Sequence, residues 1–278
     1  MEYQDITKHL KINTKKNIGT VIIIVEGEKD EFDLFKQIFV NILNYKYIER
    51  KRKYKTFKTY DEFVMKGNEN SRVIVLNAYN SNINTLDRNK DYLDKLYIDL
   101  YNELGIDVKN KSIYFIWDRD SKSNNYNDVK GLISKLGSAN DNDTEMNGLL
   151  LLSYPAIQSY IISCYDEKTE CLKDIDLKEY IKKKGYKVSN PNKYQNNKQG
   201  SNEEIDKAKI IKATKVMLKR LEEMHIDFKE TDLDNFSDIS LKIFNKEENF
   251  YDNHKAYKML SLISIMLIDL QIIIFKEK

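Results

Sequence analysis

Two acidic clusters follow directly on two apolar runs. Glu26 comes straight after Thr20–Val25 (TVIIIV) and is followed by Gly27, Glu28, Lys29 and Asp30. Asp118, Arg119 and Asp120 come straight after Ser112–Trp117 (SIYFIW). In extended chain, side chains two apart point the same way, so Asp118 and Asp120 can face one point. Asp30 stands four residues past Glu26, about one helical turn on, and can lean back toward the same place. Carboxylates that converge repel one another unless a cation lies between them. An oxygen-only donor set suits Mg²⁺, or Mn²⁺ in its place, and not zinc. Such an ion polarises a phosphate, activates water and neutralises a leaving oxygen. With no His or Cys nucleophile nearby, the set points to metal-assisted phosphoryl chemistry rather than acyl transfer. A single acid at a loop start is more often solvated, or sits against a helix dipole. The weight lies in the repetition of strand-then-acid at two places.

The elements around these acids predict an α/β fold. Thr20–Val25, Arg72–Leu76, Ser112–Trp117 and Leu149–Leu152 are short apolar runs that suit buried strands. Phe32, Leu34, Phe35, Ile38, Phe39 and Leu43 recur at helical spacing after the first of them. Further helices are expected around Thr85–Leu104, stopping at Gly105, over Asp128–Leu136, and in AIQSYIISCY after Pro155. Strands alternating with helices make a parallel sheet flanked by helices, and ligands gather beyond the carboxyl ends of such strands. Tyr45–Tyr60 holds a further strand of poor pattern. After Tyr165 strand-like runs disappear. Helices are expected over Leu172–Lys184, Glu203–Met224, Asp238–Phe244 and His254–Phe275, with Gly185–Asn202 as a polar loop. The expectation is a catalytic α/β domain over 1–165 and an α-helical C-terminal module over 166–278.

The chain has 278 residues and a net charge of only +2, so a nucleic-acid partner would need a local basic patch. Arg50, Lys51, Arg52 and Lys53, with Lys55 and Lys58, form one, interleaved with Tyr47, Tyr54, Phe57 and Tyr60. It could grip a phosphate backbone with rings at hand for stacking, or be a solvated loop in a Lys-rich protein. Lys182–Lys198 is a more dilute version. Asn77, Asn80, Ser81, Asn82 and Asn84 either line the acidic mouth or serve as turn and cap residues. The two cysteines, Cys164 and Cys171, and the three histidines, His9, His225 and His254, form no zinc or disulfide pattern. No signal peptide is evident at the start. Met259–Phe275 is interrupted by Ser261, Ser264, Asp269 and Gln271 and is shorter than the ~20 apolar residues of a membrane span. A cytoplasmic protein with no membrane association is expected. The apolar C-terminal run is expected to be buried in the module, or covered by a second copy or a partner.

IIIVEGEKD resembles the first Toprim motif, a strand ending in Glu-Gly with an Asp further on, and YFIWDRD resembles the second, an Asp-x-Asp at the end of a later strand. The resemblance spans roughly residues 18–165. It implies a Toprim-like sheet, Glu26 as the proton-transfer residue, Asp118 and Asp120 as Mg²⁺ ligands, and Asp30 as the further acid of the OLD-like branch. Without a zinc module, a P-loop or a distinct nucleophilic Tyr, the chain looks most similar to the AriB-type Toprim effectors of PARIS anti-phage defence. Such effectors are held by an ABC-type ATPase and, once released, cut nucleic acid, with RNA such as tRNA favoured over DNA. The alternatives are a regulatory Toprim module that docks on such an ATPase, or a housekeeping RNA-processing nuclease. One departure is Gln158, where relatives often carry Glu.

Overall fold

The structure, a computed structural model, describes residues 9–27, 29–50, 57–78, 91–120, 124–140, 148–172, 174–186, 188 and 204–275. A short strand β1 (Leu10–Ile12) leads to β2 (Thr20–Val25), whose residues from Val21 onward are all buried. A strand with no polar face must lie inside a sheet that is covered on both sides. Helix α1 (Asp30–Lys36) follows and runs on as a π-helical stretch over Gln37–Ile42. Its Phe39 ring packs 5.7 Å from Tyr45 and 5.5 Å from Phe63. Strands β3 (Tyr45–Arg50), β4 (Phe57–Met65) and β5 (Asn68–Ala78) come next. Helix α2 (Asp91–Leu104) leads to β6 (Ser112–Asp118). Helix α3 (Tyr126–Lys135) leads through β7 (Gly137–Ser138) to β8 (Gly148–Tyr154), and helix α4 (Gln158–Tyr165) follows. The described residues that follow form β9 (Cys171–Leu172), α5 (Asp174–Lys184), α6 (Lys207–Glu223), a 3-10 turn (Glu230–Asn235), α7 (Ser237–His254), β10 (Tyr257–Lys258), β11 (Leu260–Ser261), α8 (Ile263–Asp269) and β12 (Ile273–Phe275).

The fold is α/β. The main sheet runs β11-β8-β6-β2-β5-β4-β3, and its centre, β8-β6-β2-β5, is parallel as expected. The sheet as a whole is mixed, because β4 and β3 add to β5 as an antiparallel meander and β11 adds antiparallel to β8. The turn between β4 and β5 is too short for a parallel crossover, and Gly67 takes φ 81° within it. The β3–β4 pattern is blurred in sequence by polar groups on buried positions. Glu62 is buried and pairs at 2.6 Å with Arg72 Nε, and the Tyr45 hydroxyl meets Ser71 Oγ at 2.8 Å.

The expected helix over His254–Phe275 is not formed, and strands do not cease after Tyr165. Helix α7 ends at Lys255, which takes a left-handed φ of 54°, and a second left-handed residue, Gln271, breaks the chain again after α8. The apolar run is buried by being threaded through the core in pieces. Leu260 and Ser261 pair with Tyr154 and Ser153 at the sheet edge, and Ile273–Phe275 pairs with Ile12–Leu10. A short Ile-rich run fits strand and buried helix alike by periodicity, which is why the sequence misleads here. Among the described residues no helix is long and apolar enough to cross a membrane. Helix α6 packs on α4, so the C-terminal helices lie against the sheet's own layer.

Asp269, the charge within this run, accepts a 2.6 Å hydrogen bond from the hydroxyl of buried Tyr114 on β6. Burial raises the Asp269 pKa, and the Tyr114 bond offsets part of that rise. Tyr114→Phe removes the donor and leaves a half-buried carboxylate short of one partner. It should lower unfolding free energy by about 1–2 kcal/mol with the fold retained. Urea titration followed by circular dichroism reads this. An unchanged midpoint would mean that packing alone holds the C-terminal turn.

Candidate active site

The parallel register places the ends of β2 and β6 side by side, with Val25 opposite Ile116. Glu26 and Asp118 therefore emerge together. The Asp118 amide donates to Glu26 Oε2 at 3.2 Å, and Asp118 Oδ1 accepts from the Ile157 amide at 2.7 Å. Asn77, at the end of β5, is buried and donates to the carbonyls of Val25, Glu26 and Gly27, at 2.6 Å in the case of Glu26. Of the two roles open to it, Asn77 thus takes the cap, tying off the end of β2. The neighbouring Asn80, Ser81, Asn82 and Asn84 lie outside the described residues.

Beyond β6 the acidic loop is held by the end of β8. The Arg119 amide donates to Ser153 O at 2.9 Å and the Asp120 amide to Pro155 O at 3.2 Å. Asn124 Nδ2 donates to Asp118 O at 3.1 Å. The Arg119 side chain, 2 % exposed, turns to helix α7 and forms a bidentate pair with Glu248, 2.7 Å from Nε to Oε1 and 2.8 Å from Nη2 to Oε2.

The sequence did not single out Glu31. It is the second residue of α1, 7 % exposed, and its carboxylate lies over Gly27 so closely that it would have to shift to admit any side chain there. The signal was present in the spacing: a glycine four residues before an acid, just past a buried strand. Asp30, the further expected ligand, accepts through its Oδ2 from Gln158 Nε2 at 2.7 Å. Gln158 itself is buried at the start of α4, so an amide fills the place at Asp30 where an acid was expected.

Electrostatics tie four of these acids together. Burial pushes the Glu26 carboxyl up to about 7, the Asp118 amide opposes this, and the charges of Glu31 and Asp120 add to it. Asp118 is raised well above the carboxylate range by burial and then by Glu26 and Glu31. Glu31 is raised by burial and by Asp30, while Lys178 on α5 draws it down. Buried like charges of this kind invite either protons or a cation. The donor chemistry, oxygen only, fits a hard divalent ion. Among the described residues no three His, Cys, Asp or Glu side chains already stand at ligand distance of one point.

Arg50 ends β3, and the pairing Arg50–Tyr60, Tyr60–Leu76, Leu76–Ile24 puts its backbone level with the carboxyl end of β2. That is about 14 Å across the sheet, three strand spacings from the end of β2 that leads into Glu26. Lys51, Arg52 and Lys53 lie outside the described residues, as does most of Lys182–Lys198.

Comparison of the chain with protein families, with curated proteins and with solved structures finds no match.

The raised Glu26 pKa has a sign that can be measured. Its protonated form suits the folded state better than its charged form. The stability that Glu26 contributes is therefore complete below its ordinary value of 4.5 and is lost as pH rises through about 7. In divalent-free buffer, Glu26→Gln should gain on the wild type by up to about 3 kcal/mol between pH 5 and pH 8. Urea midpoints at the two pH values test this, and parallel pH profiles for both proteins would refute it.

Proposed function

We propose that the chain is a Mg²⁺-dependent endonuclease of the Toprim type. The observation that carries this reading is that Glu31 and Asp120 lie within electrostatic reach of Glu26 and Asp118, beside the carboxyl ends of two adjoining parallel strands. Glu26, with a pKa near neutrality, suits the passing of a proton to or from a reacting oxygen. Asp118, Asp120 and Glu31 would hold the cation, with Asp30 kept beside them by Gln158. Mg²⁺, or Mn²⁺ in its place, would supply charge to a phosphodiester and lower the pKa of water. The substrate on this reading is nucleic acid, RNA ahead of DNA, with the chain that begins at Arg50 supplying phosphate contacts. Resemblance to AriB-type effectors extends the proposal to a cytoplasmic, toxic role in anti-phage defence under an ABC-type ATPase, with self-association as a further property of the C-terminal segment. A second reading, a regulatory docking module, draws support from the amide of Gln158 lying where a further acid would strengthen a metal site.

Cleavage assays separate the two. Purified protein should cut RNA in Mg²⁺ or Mn²⁺ and not in Zn²⁺. Glu26→Gln and Asp118→Ala should each cost about 10²-fold or more in rate while remaining folded. Wild-type cleavage by the Glu26→Gln protein would end the nuclease assignment. An inactive wild type that binds a co-expressed ATPase would favour the docking module.

A further inference from the structure

We propose that Arg119 is a positioning residue, clamped by Glu248 of helix α7, that sets the placement of the Asp118 and Asp120 carboxylates; the proposal rests on the metal-dependent reading above. Arg119 stands between the two acids, so in extended chain its side chain points away from the face they share. Whatever fixes it on one side fixes them on the other.

The guanidinium is held on every edge. Nε and Nη2 donate to the two oxygens of Glu248, and Nη1 donates to the carbonyl of Asn124 at 3.0 Å. The Asp120 carbonyl lies 3.5 Å from the same nitrogen. Phe244 and Tyr257 flank the group, with ring centroids 5.4 Å and 5.8 Å from Cζ. The Tyr257 hydroxyl donates to Glu248 Oε1 at 2.9 Å and so holds the acceptor in turn. Asn124 meanwhile donates back to the Asp118 carbonyl. Asp120 and Asn124 thus both turn a backbone carbonyl toward one cation.

Packing alone does not explain the choice of residue. A buried ion pair gives up hydration on both partners, and an apolar pair of similar size is often as stable. Hydrocarbon, however, could not take up the carbonyls of Asp120 and Asn124. A planar group with five donors can take both carbonyls and a carboxylate at once, and Lys cannot. The pair also bridges the acidic loop to α7, 129 residues further along the chain. A shift of α7 would therefore reach Asp120 through a single side chain.

Mn²⁺ serves as the probe, with affinity read by calorimetry and ligand geometry by the electron paramagnetic resonance of the bound ion. Partners that orient metal ligands typically change affinity by about 10–100-fold when removed, and Glu248→Ala and Arg119→Lys should fall in that range with altered spectra. Glu248→Gln keeps an acceptor for Nε and for Tyr257 while removing the charge, and should stay within about threefold of the wild type, since loss of one hydrogen bond is a modest effect. If Glu248→Gln is as weak as Glu248→Ala, charge and not geometry is at work, and the proposal fails. Should Glu248→Ala not fold, Arg119→Lys carries the test, because it retains the ion pair. Asp118→Asn is the control. If it binds Mn²⁺ as the wild type does, the metal reading itself is wrong. If it does not bind while folded Arg119→Lys keeps wild-type affinity and spectrum, the metal reading stands and Arg119 is not a positioning residue.

Discussion

The molecule is organised around carboxylates that are buried together. Glu26, Glu31 and Asp118 lie where water screens them poorly, and burial raises each one's preference for a proton, with Glu31 adding to the rise at Glu26 and both adding to it at Asp118. Left to themselves such groups would splay apart or take up protons. The fold instead meets them with hydrogen-bond donors. The Asp118 amide faces Glu26, the Ile157 amide faces Asp118, and the Gln158 amide faces Asp30. Donors of this kind favour the charged form and oppose the effect of burial. At Glu26 burial and the opposing Asp118 amide leave the carboxyl at about 7.

That balance depends on strand register. Because β2 and β6 are parallel, with Val25 opposite Ile116, Glu26 and Asp118 come within reach of each other without any loop having to carry them. Strand β8 runs on beyond them. Its continuation supplies the carbonyls of Ser153 and Pro155 to the backbone of Arg119 and Asp120, and then the amide of Ile157 to Asp118. Backbone groups thus do most of the positioning on the inner side, and they tolerate changes of side chain. On the outer side the task falls to one arginine.

How far this was legible in the sequence follows from the physics of each element. Strands β2 and β6 were plain because a central parallel strand is apolar on both faces and ends where its cover ends. Glu26, Asp118 and Asp120 were visible for the same reason, since an acid directly after such a run has nowhere to go but the mouth. Glu31 was hidden because its significance comes from a glycine that leaves room for it, and a contact of that kind is not a period. Strands β3 and β4 were indistinct because Glu62 and the tyrosines satisfy buried positions through partners on other strands. The final apolar run was misread because its pieces, strand, short helix and strand, share one composition. Left-handed Lys255 ends α7 ahead of it and left-handed Gln271 parts α8 from β12, and neither is a glycine.

That division bears on the acids. As one continuous helix the run could not add a strand to the sheet. Broken, it lays Leu260 and Ser261 along β8, where the Ser153 and Ser261 hydroxyls meet at 2.7 Å and the Leu262 amide donates to the Leu152 carbonyl at 3.1 Å. Ser153 is the residue whose carbonyl accepts from Arg119. The same C-terminal segment therefore reaches the acidic loop by two routes, through the backbone of β8 from one side and through Glu248 of α7 from the other. Two anchors fix the orientation of a loop where one would leave it free to pivot. One anchor, Glu248, lies after residue 165, and the other, Ser153 of β8, is backed by Ser261 from beyond it, so the geometry of the acids is not set by β2 and β6 alone.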